Sequence, residues 1–155
     1  MDETDRKILA YIQANGRDSY GDIGVAVGLS VSAVNERLKK LQARGAILGW
    51  GARVDPKAVG RGVLAFVFVS LDRPEHERAF VEAVTAAPEV QECHHVTGDW
   101  SYLLKVRLTD VGDLETLLVG TIKAWRGVVR THTLIALSSP KETAAVPCGG
   151  PEPAA

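Results

Sequence analysis

Residues 20–44 read YGDIGVAVGLSVSAVNERLKKLQAR, two short helical stretches separated by Gly28-Leu29-Ser30. In the second stretch Val31, Val34, Leu38 and Leu41 recur three and four residues apart, the spacing of one helical face, so these four side chains are predicted to point into a core. An advance of about 100° per residue puts Ser32, Glu36, Lys39 and Lys40 on the outward arc, with Asn35 and Arg37 on its flanks. That face suits a polyanion. Gly28 can take the left-handed conformation that ends a helix, Leu29 plugs the angle between the two helices, and Ser30 caps the second. Together these features define a helix-turn-helix. Any small helical domain can hold an amphipathic helix with lysines on its wet side, so the surrounding chain has to separate the two readings.

Upstream, Asp2 with Asp5 and Ser19 with Asp22 are two N-capping pairs, each opening a helix. Ile8, Leu9 and Ile12 form the buried stripe of the first, which Asn15-Gly16 ends, so three helices precede Gly45. Gly21 and Gly24 lie inside the short second helix, where each costs about 1 kcal/mol relative to Ala. That helix must lean on tertiary packing, and a close approach between helices is the expected compensation. From Ile47 to Val54 a rough alternation is expected to form a short strand or wing. Residues 1–54 are thus a winged helix-turn-helix domain, and residues 55–62, with one Pro and two Gly, a linker.

Past residue 62 the period changes from helical to two. Val63 to Leu71 is rich in β-formers, residues 74–87 form a helix with Phe80 and Val84 inward, and residues 90–97 form a second strand. Gly98-Asp99 turns into residues 101–108, where Tyr102, Leu104, Val106 and Leu108 alternate with Leu103, Lys105 and Arg107, a hairpin pattern. Leu114, Leu117, Leu118, Thr121, Ile122 and Trp125 trace one helical face, and residues 128–137 are a last strand. The order βαββαβ is that of a ferredoxin-like sandwich over residues 63–141, which makes the chain α+β. Helices cover one face of such a sheet, leaving Leu64, Phe66, Phe68 and Ser70 on the other, and dimerisation would cover it. Residues 142–155 carry Pro, Gly, Ala and Glu without periodic apolar residues and are expected to be a disordered tail whose removal changes nothing.

At 155 residues and 46% hydrophobic, the chain has enough apolar material for real cores, and its net charge is −1. Residues 1–54 carry +2 and the remainder −3, so the basic surplus sits with the helix-turn-helix. The acidic start MDETDRK and the lack of a long apolar run point away from a signal peptide or membrane span and toward the cytoplasm. Two distant cysteines, Cys93 and Cys148, fit a reducing compartment. Cys93, His94, His95, His76 and His132 show no metal-site spacing, since adjacent residues of a strand face opposite ways. No nucleophile elbow, phosphate loop or paired carboxylates suggest an enzyme, and no cofactor is expected.

Several motifs occur in series: Asp2-x-x-Asp5-x-x-Ile8-Leu9, Gly28-Leu29-Ser30, Arg37-x-x-x-Leu41, Gly45-x-Ile47, and Pro88-x-Val90-x-x-Cys93 leading to Thr97-Gly98-Asp99. In these the chain resembles the Lrp/AsnC family of feast/famine transcription regulators. The resemblance implies a winged helix-turn-helix joined to a RAM or ACT-like domain. It further implies a homodimer, assembling into tetramers, octamers or hexadecamers, that binds promoter DNA and responds to an amino acid. It also places the effector site at Thr97, Gly98, Asp99, Trp100, Ser101 and Tyr102. Many members carry Asp where this chain has Ser101, so an uncharged effector side chain is expected over lysine or arginine.

For double-stranded DNA, Arg37, Lys39 and Lys40 are the expected phosphate contacts, with Ser30 at the helix start and Ser32, Ala33, Asn35 and Glu36 nearer base edges. Glu36 has the alternative of pairing with Lys40. The alternative function is an architectural DNA-organising protein with little effector control.

Overall fold

The computed structural model describes residues 1–149, which divide into two units: Met1–Arg53 joined by the described residues from Lys141 onward, and Val54–Pro140.

The first unit holds α1 (Glu3–Ala14), α2 (Tyr20–Val27) and α3 (Val31–Ala43). Both predicted capping boxes are present: Asp2 and Asp5 exchange side-chain and backbone hydrogen bonds at the start of α1, as do Ser19 and Asp22 at α2. Each satisfies two backbone N–H groups that have no partner inside the helix. Gly28 ends α2 in the left-handed conformation, φ 73°, and Ser30 caps α3 by accepting from the Ala33 N–H. The core is Ile8, Ile12, Ile23, Val34, Leu38 and Leu41, with Leu9, Tyr11, Val27, Leu29 and Ile47 packed against it. Gly24 explains why α2 tolerates a glycine. A Cβ there would stand 2.5 Å from the Leu29 carbonyl oxygen, and the same turn is closed by the Leu29 N–H donating to the Gly24 carbonyl at 2.9 Å.

Three expectations for this unit need correction. Val31 is 56% exposed rather than inward. It occupies the first turn of α3, beyond the reach of α1 and α2, and Leu29 already fills the corner. The wing does not form: residues 47–54 make no strand, because alternation needs a neighbouring strand to pair with and the sheet of the described residues lies entirely in the other unit. Ile47 packs on the helices while Leu48 is 96% exposed. The segment after Lys141 is not free over its described part, since the Val146 backbone pairs with the Gln13 side chain. Residues 150–155 of the expected tail lie outside the described residues.

The second unit begins with residues 55–61 wound into tight turns, closed by the Arg61 N–H donating to the Pro56 carbonyl at 2.7 Å. Then follow β1 (Val63–Leu71), α4 (Glu77–Ala86), β2 (Val90–His95), β3 (Tyr102–Leu108), α5 (Val111–Thr116) and β4 (Val128–Ile135). The four strands form one antiparallel sheet in the order β2-β3-β1-β4. This is the expected α+β architecture, with β1 and β3 central. Ala65, Val67 and Val69 of β1 and Tyr102, Leu104, Val106 and Leu108 of β3 share the face covered by Phe80, Val84, Leu114, Leu117 and Ile122.

The second predicted helix is less regular than its apolar stripe suggests. After α5 it widens into a π-type turn over Leu117–Thr121 and tightens into 3-10 geometry at Ile122–Ala124. Leu117 and Ile122 are both buried yet five residues apart. Five residues overshoot one α-helical turn by about 140°, and one extra residue per turn brings Ile122 back under Leu117.

Candidate DNA-binding and effector sites

On α3 the outward residues are Ser32, Glu36, Lys39 and Lys40, all exposed, with Ala33 and Asn35 half-buried at the margin. Ser30 and Ser32 hydroxyls lie 3.1 Å apart at the helix start. Glu36 takes the alternative foreseen for it and pairs with Lys40 one turn on. The exposed Val31 adds an apolar contact surface beside Ser32 that the periodicity had assigned to the core.

Arg37 is placed differently from the phosphate contact expected of it. Its Nη1 lies 2.7 Å from Asp2 Oδ2 and 2.7 Å from Asp5 Oδ1. The guanidinium therefore ties α3 to the N-terminus of α1, and Asp5, the buried charged residue of the core, finds its counter-charge there. The Asp2 carboxyl is held below the ordinary carboxylate range, first by the Asp5 backbone N–H and then by Arg37. Because its folded pKa is depressed, its contribution is present above the unfolded pKa and is lost as pH falls through the folded one.

This division of roles makes a prediction. Lys39→Ala should leave thermal stability unchanged and flatten the salt dependence of DNA binding by about one unit of log-log slope. Arg37→Ala should lower the unfolding midpoint, with DNA binding lost in step with folding. A flattened salt slope for Arg37→Ala at unchanged stability would return it to the phosphate contacts.

In the second unit the turn between β2 and β3 carries the other candidate residues. Thr97, Gly98 and Asp99 are exposed, and Gly98 has φ 103°. Trp100 lies on the sheet face opposite the helices. Its ring is 5.8 Å from Phe68 and 6.0 Å from His132, and the Arg130 guanidinium sits 4.2 Å above it. Arg130 Nη2 also donates to the Asp99 carbonyl at 3.2 Å. The Asp99 carboxylate makes no hydrogen bond or ion pair among the described residues. Arg130 was missed in the sequence because it lies 31 positions from Asp99 and a strand pattern records only which face a residue takes.

Two members of the predicted set point elsewhere. Ser101 Oγ accepts from the Leu71 N–H at 3.2 Å where β1 passes the end of its ladder with β3, so this hydroxyl serves the backbone. Tyr102 is buried on the helix-covered face, packed on Phe80, stacked by His95, and its hydroxyl donates to Glu77. Burial, followed by the Glu77 carboxylate, pushes the phenol up to about 12. Residues two apart on a regular strand share a face, but Trp100 and Ser101 lie in the bend before β3 begins at Tyr102, where the alternation breaks and leaves Trp100 and Tyr102 on opposite sides of the sheet. His94 and His95 likewise take opposite faces, His94 bonding Glu92 and His95 lying on Tyr102.

Residues 1–42 match the AsnC-type helix-turn-helix domain, and residues 64–146 match the Lrp/AsnC ligand binding domain. The chain belongs to the Lrp/AsnC family. Its members are transcriptional regulators, and this Lrp/AsnC protein is a DNA-binding regulator built on the helix-turn-helix described above. It is similar to the leucine-responsive regulatory protein of Haemophilus influenzae, 37% identical over 145 residues that span 92% of this chain and 87% of that one. The leucine-responsive regulatory protein of Escherichia coli is 36% identical, covering 92% of this chain and 88% of its own length. Among solved structures, a Neisseria meningitidis transcriptional regulator in complex with L-methionine superposes with a TM-score of 0.91 at 32% identity, covering 95% of this chain and 96% of the other. A feast or famine regulatory protein of M. tuberculosis, complexed with L-methionine, gives 0.85 at 34% identity over 91% of this chain and 95% of that one.

Proposed function

We propose that this Lrp/AsnC regulator binds its DNA sites as a homodimer through α3 and is controlled by a free amino acid with an uncharged side chain, held at the β2–β3 turn. The observation that carries the effector half is Arg130, whose guanidinium lies over the Trp100 ring and donates to the backbone carbonyl of the exposed Asp99. A free amino acid is a zwitterion: it needs an acceptor for its ammonium, a donor for its carboxylate and a wall for its side chain. Asp99, Arg130 and Trp100 offer these in turn, while Thr97 and Gly98 present exposed backbone. The same arginine disfavours a lysine or arginine ligand by like-charge repulsion, and Ser101 offers no compensating anion. Two relatives solved with L-methionine support this choice.

The dimer reading rests on the open sheet face, where Phe66 and Phe68 are only half-buried, Leu134 is 49% exposed and Trp100 lies across β1. A second copy related by a two-fold axis would cover these residues, and larger assemblies such as octamers would stack such dimers. Two copies of α3 then address half-sites about 34–36 Å apart, or a multiple of that. Val31, Ser32, Ala33, Asn35 and Glu36 face base edges, while Lys39 and Lys40 meet phosphates. With DNA as partner and no helix of the described residues able to cross a membrane, we place the protein in the cytoplasm.

The test is a calorimetric titration of methionine, leucine, phenylalanine, lysine and arginine into the intact protein, Asp99→Ala and Arg130→Ala, following heat and oligomer size together. Loss of a hydrogen bond to a charged group costs about 1.5–3 kcal/mol, so each variant should bind the preferred ligand roughly 10- to 100-fold more weakly. Tightest binding of lysine or arginine would overturn the specificity reading. Heat from none of the five would favour the architectural DNA-organising protein.

A further inference from the structure

We propose that residues 142–148 form a strap, an extended peptide that the DNA-binding unit recognises as an intramolecular ligand and on which the integrity of that unit depends. The recognition element is Gln13, near the end of α1. Its Nε2 donates to the Val146 carbonyl at 3.0 Å while its Oε1 accepts from the Val146 N–H at 2.7 Å, so one side-chain amide reads both polar groups of a single residue as a neighbouring β-strand would. The same Nε2 lies 3.0 Å from Cys148 Sγ.

A second anchor stands upstream, where Arg53 Nη2 donates to the Glu142 carbonyl at 2.9 Å. All of these contacts to the strap use its main chain or its thiol, the pattern of recognition that fits an extended segment of low sequence complexity. Between the anchors runs a groove of about 390 Å³, where Leu9, Ile12, Ile47 and Trp50 face Val146 and Cys148. Trp50 is 48% exposed even with the strap in place. Without the strap this wall of α1 and the segment after α3 would be an open apolar patch.

The consequence is that the DNA-binding unit is not contiguous in sequence. Its three helices come from the start of the chain and its strap from residues beyond Lys141. Removal or displacement of the last residues therefore acts on the DNA-binding unit, opposite to what the composition of this segment suggested.

The experiment uses the full chain and follows alkylation of each cysteine by mass spectrometry, with Cys93 as internal control. Cys148 should react several-fold more slowly than in a free peptide of residues 142–149, and Gln13→Ala should restore most of the peptide rate while leaving Cys93 unchanged. Gln13 is exposed and its replacement leaves the cores intact. In parallel, a chain ended after Lys141 should show amide hydrogen exchange several-fold faster in residues 9–14 and 46–50 than the intact chain. Cys148 reacting at the peptide rate in the intact chain, an unchanged rate in Gln13→Ala, or unaltered exchange on truncation would each overturn the strap. Neither measurement involves DNA or an effector, so its failure is distinct from failure of the regulatory reading.

Discussion

Phe80→Ala is expected to destabilise the Val54–Pro140 unit by about 3–5 kcal/mol, the usual cost of truncating a fully buried aromatic. Phe80 has no exposed surface, and its ring lies 4.8 Å from Tyr102 and 5.7 Å from Trp125. With Val84 it carries α4 into the sheet core, and its own ring meets both the central strand β3 and the segment before β4. Two large rings flank the vacated volume, and neither can relax into it freely. Tyr102 is anchored by its bond to Glu77, and Trp125 precedes the turn into β4. Domains of this size hold about 5–15 kcal/mol in total, so the variant should unfold at much lower urea with an unchanged m-value. Signals from the helix-turn-helix should persist where those of the sheet are lost. A loss below about 1 kcal/mol would show that the helices close the cavity, against the packing described.

Gly24→Ala is expected to be the most damaging single-methyl change in the DNA-binding unit, costing about 2–3 kcal/mol as an overpacked site. On helix propensity alone it should stabilise by about 1 kcal/mol, so even the sign discriminates between the two arguments. The added Cβ would lie 2.5 Å from the Leu29 carbonyl oxygen, a backbone atom held in place by the left-handed Gly28 and by the cap of α3. Relief requires the turn to open, which tilts α3 away from α2 and moves Ser32, Glu36 and Lys39 together. DNA affinity should therefore fall with the unfolding midpoint, whereas Gly21→Ala, whose Cβ would meet only the Ser19 hydroxyl at 3.4 Å, should retain both. A Gly24→Ala protein as stable as the parent would mean that the approach of α2 to the turn is not what selects glycine.

The sequence by itself determined most of the elements and their faces, the wing, the face of Val31 and the irregular end of the helix after α5 excepted. Capping pairs such as Asp2 with Asp5 and Ser19 with Asp22 are local: each acts within one helical turn, so spacing alone reveals them. The same holds for the alternation of Tyr102 to Leu108, which reports a buried and an open sheet face without reference to the rest of the chain. The glycine at position 24 carried a readable signal too, since a residue that weakens its own helix implies a tight contact elsewhere.

What only the tertiary structure decided is which distant partner each side chain meets. A helical wheel leaves Arg37 on the flank of a polyanion-binding face; the fold brings Asp2 and Asp5, 35 and 32 positions away, into contact with it. Trp100 and Tyr102 look like one pocket because they are two residues apart, yet they are divided by the sheet, and the cation that joins Trp100 comes from β4. Leu48 and Trp50 alternate as a strand would, but no partner strand lies among the described residues of their unit, and a segment read as a loose tail passes beside them. Periodicity encodes the direction in which a side chain leaves the backbone, a property of neighbouring torsion angles. Charge pairing, pocket membership and strand pairing are properties of chain segments that are distant in sequence and are brought together by the fold of their own unit.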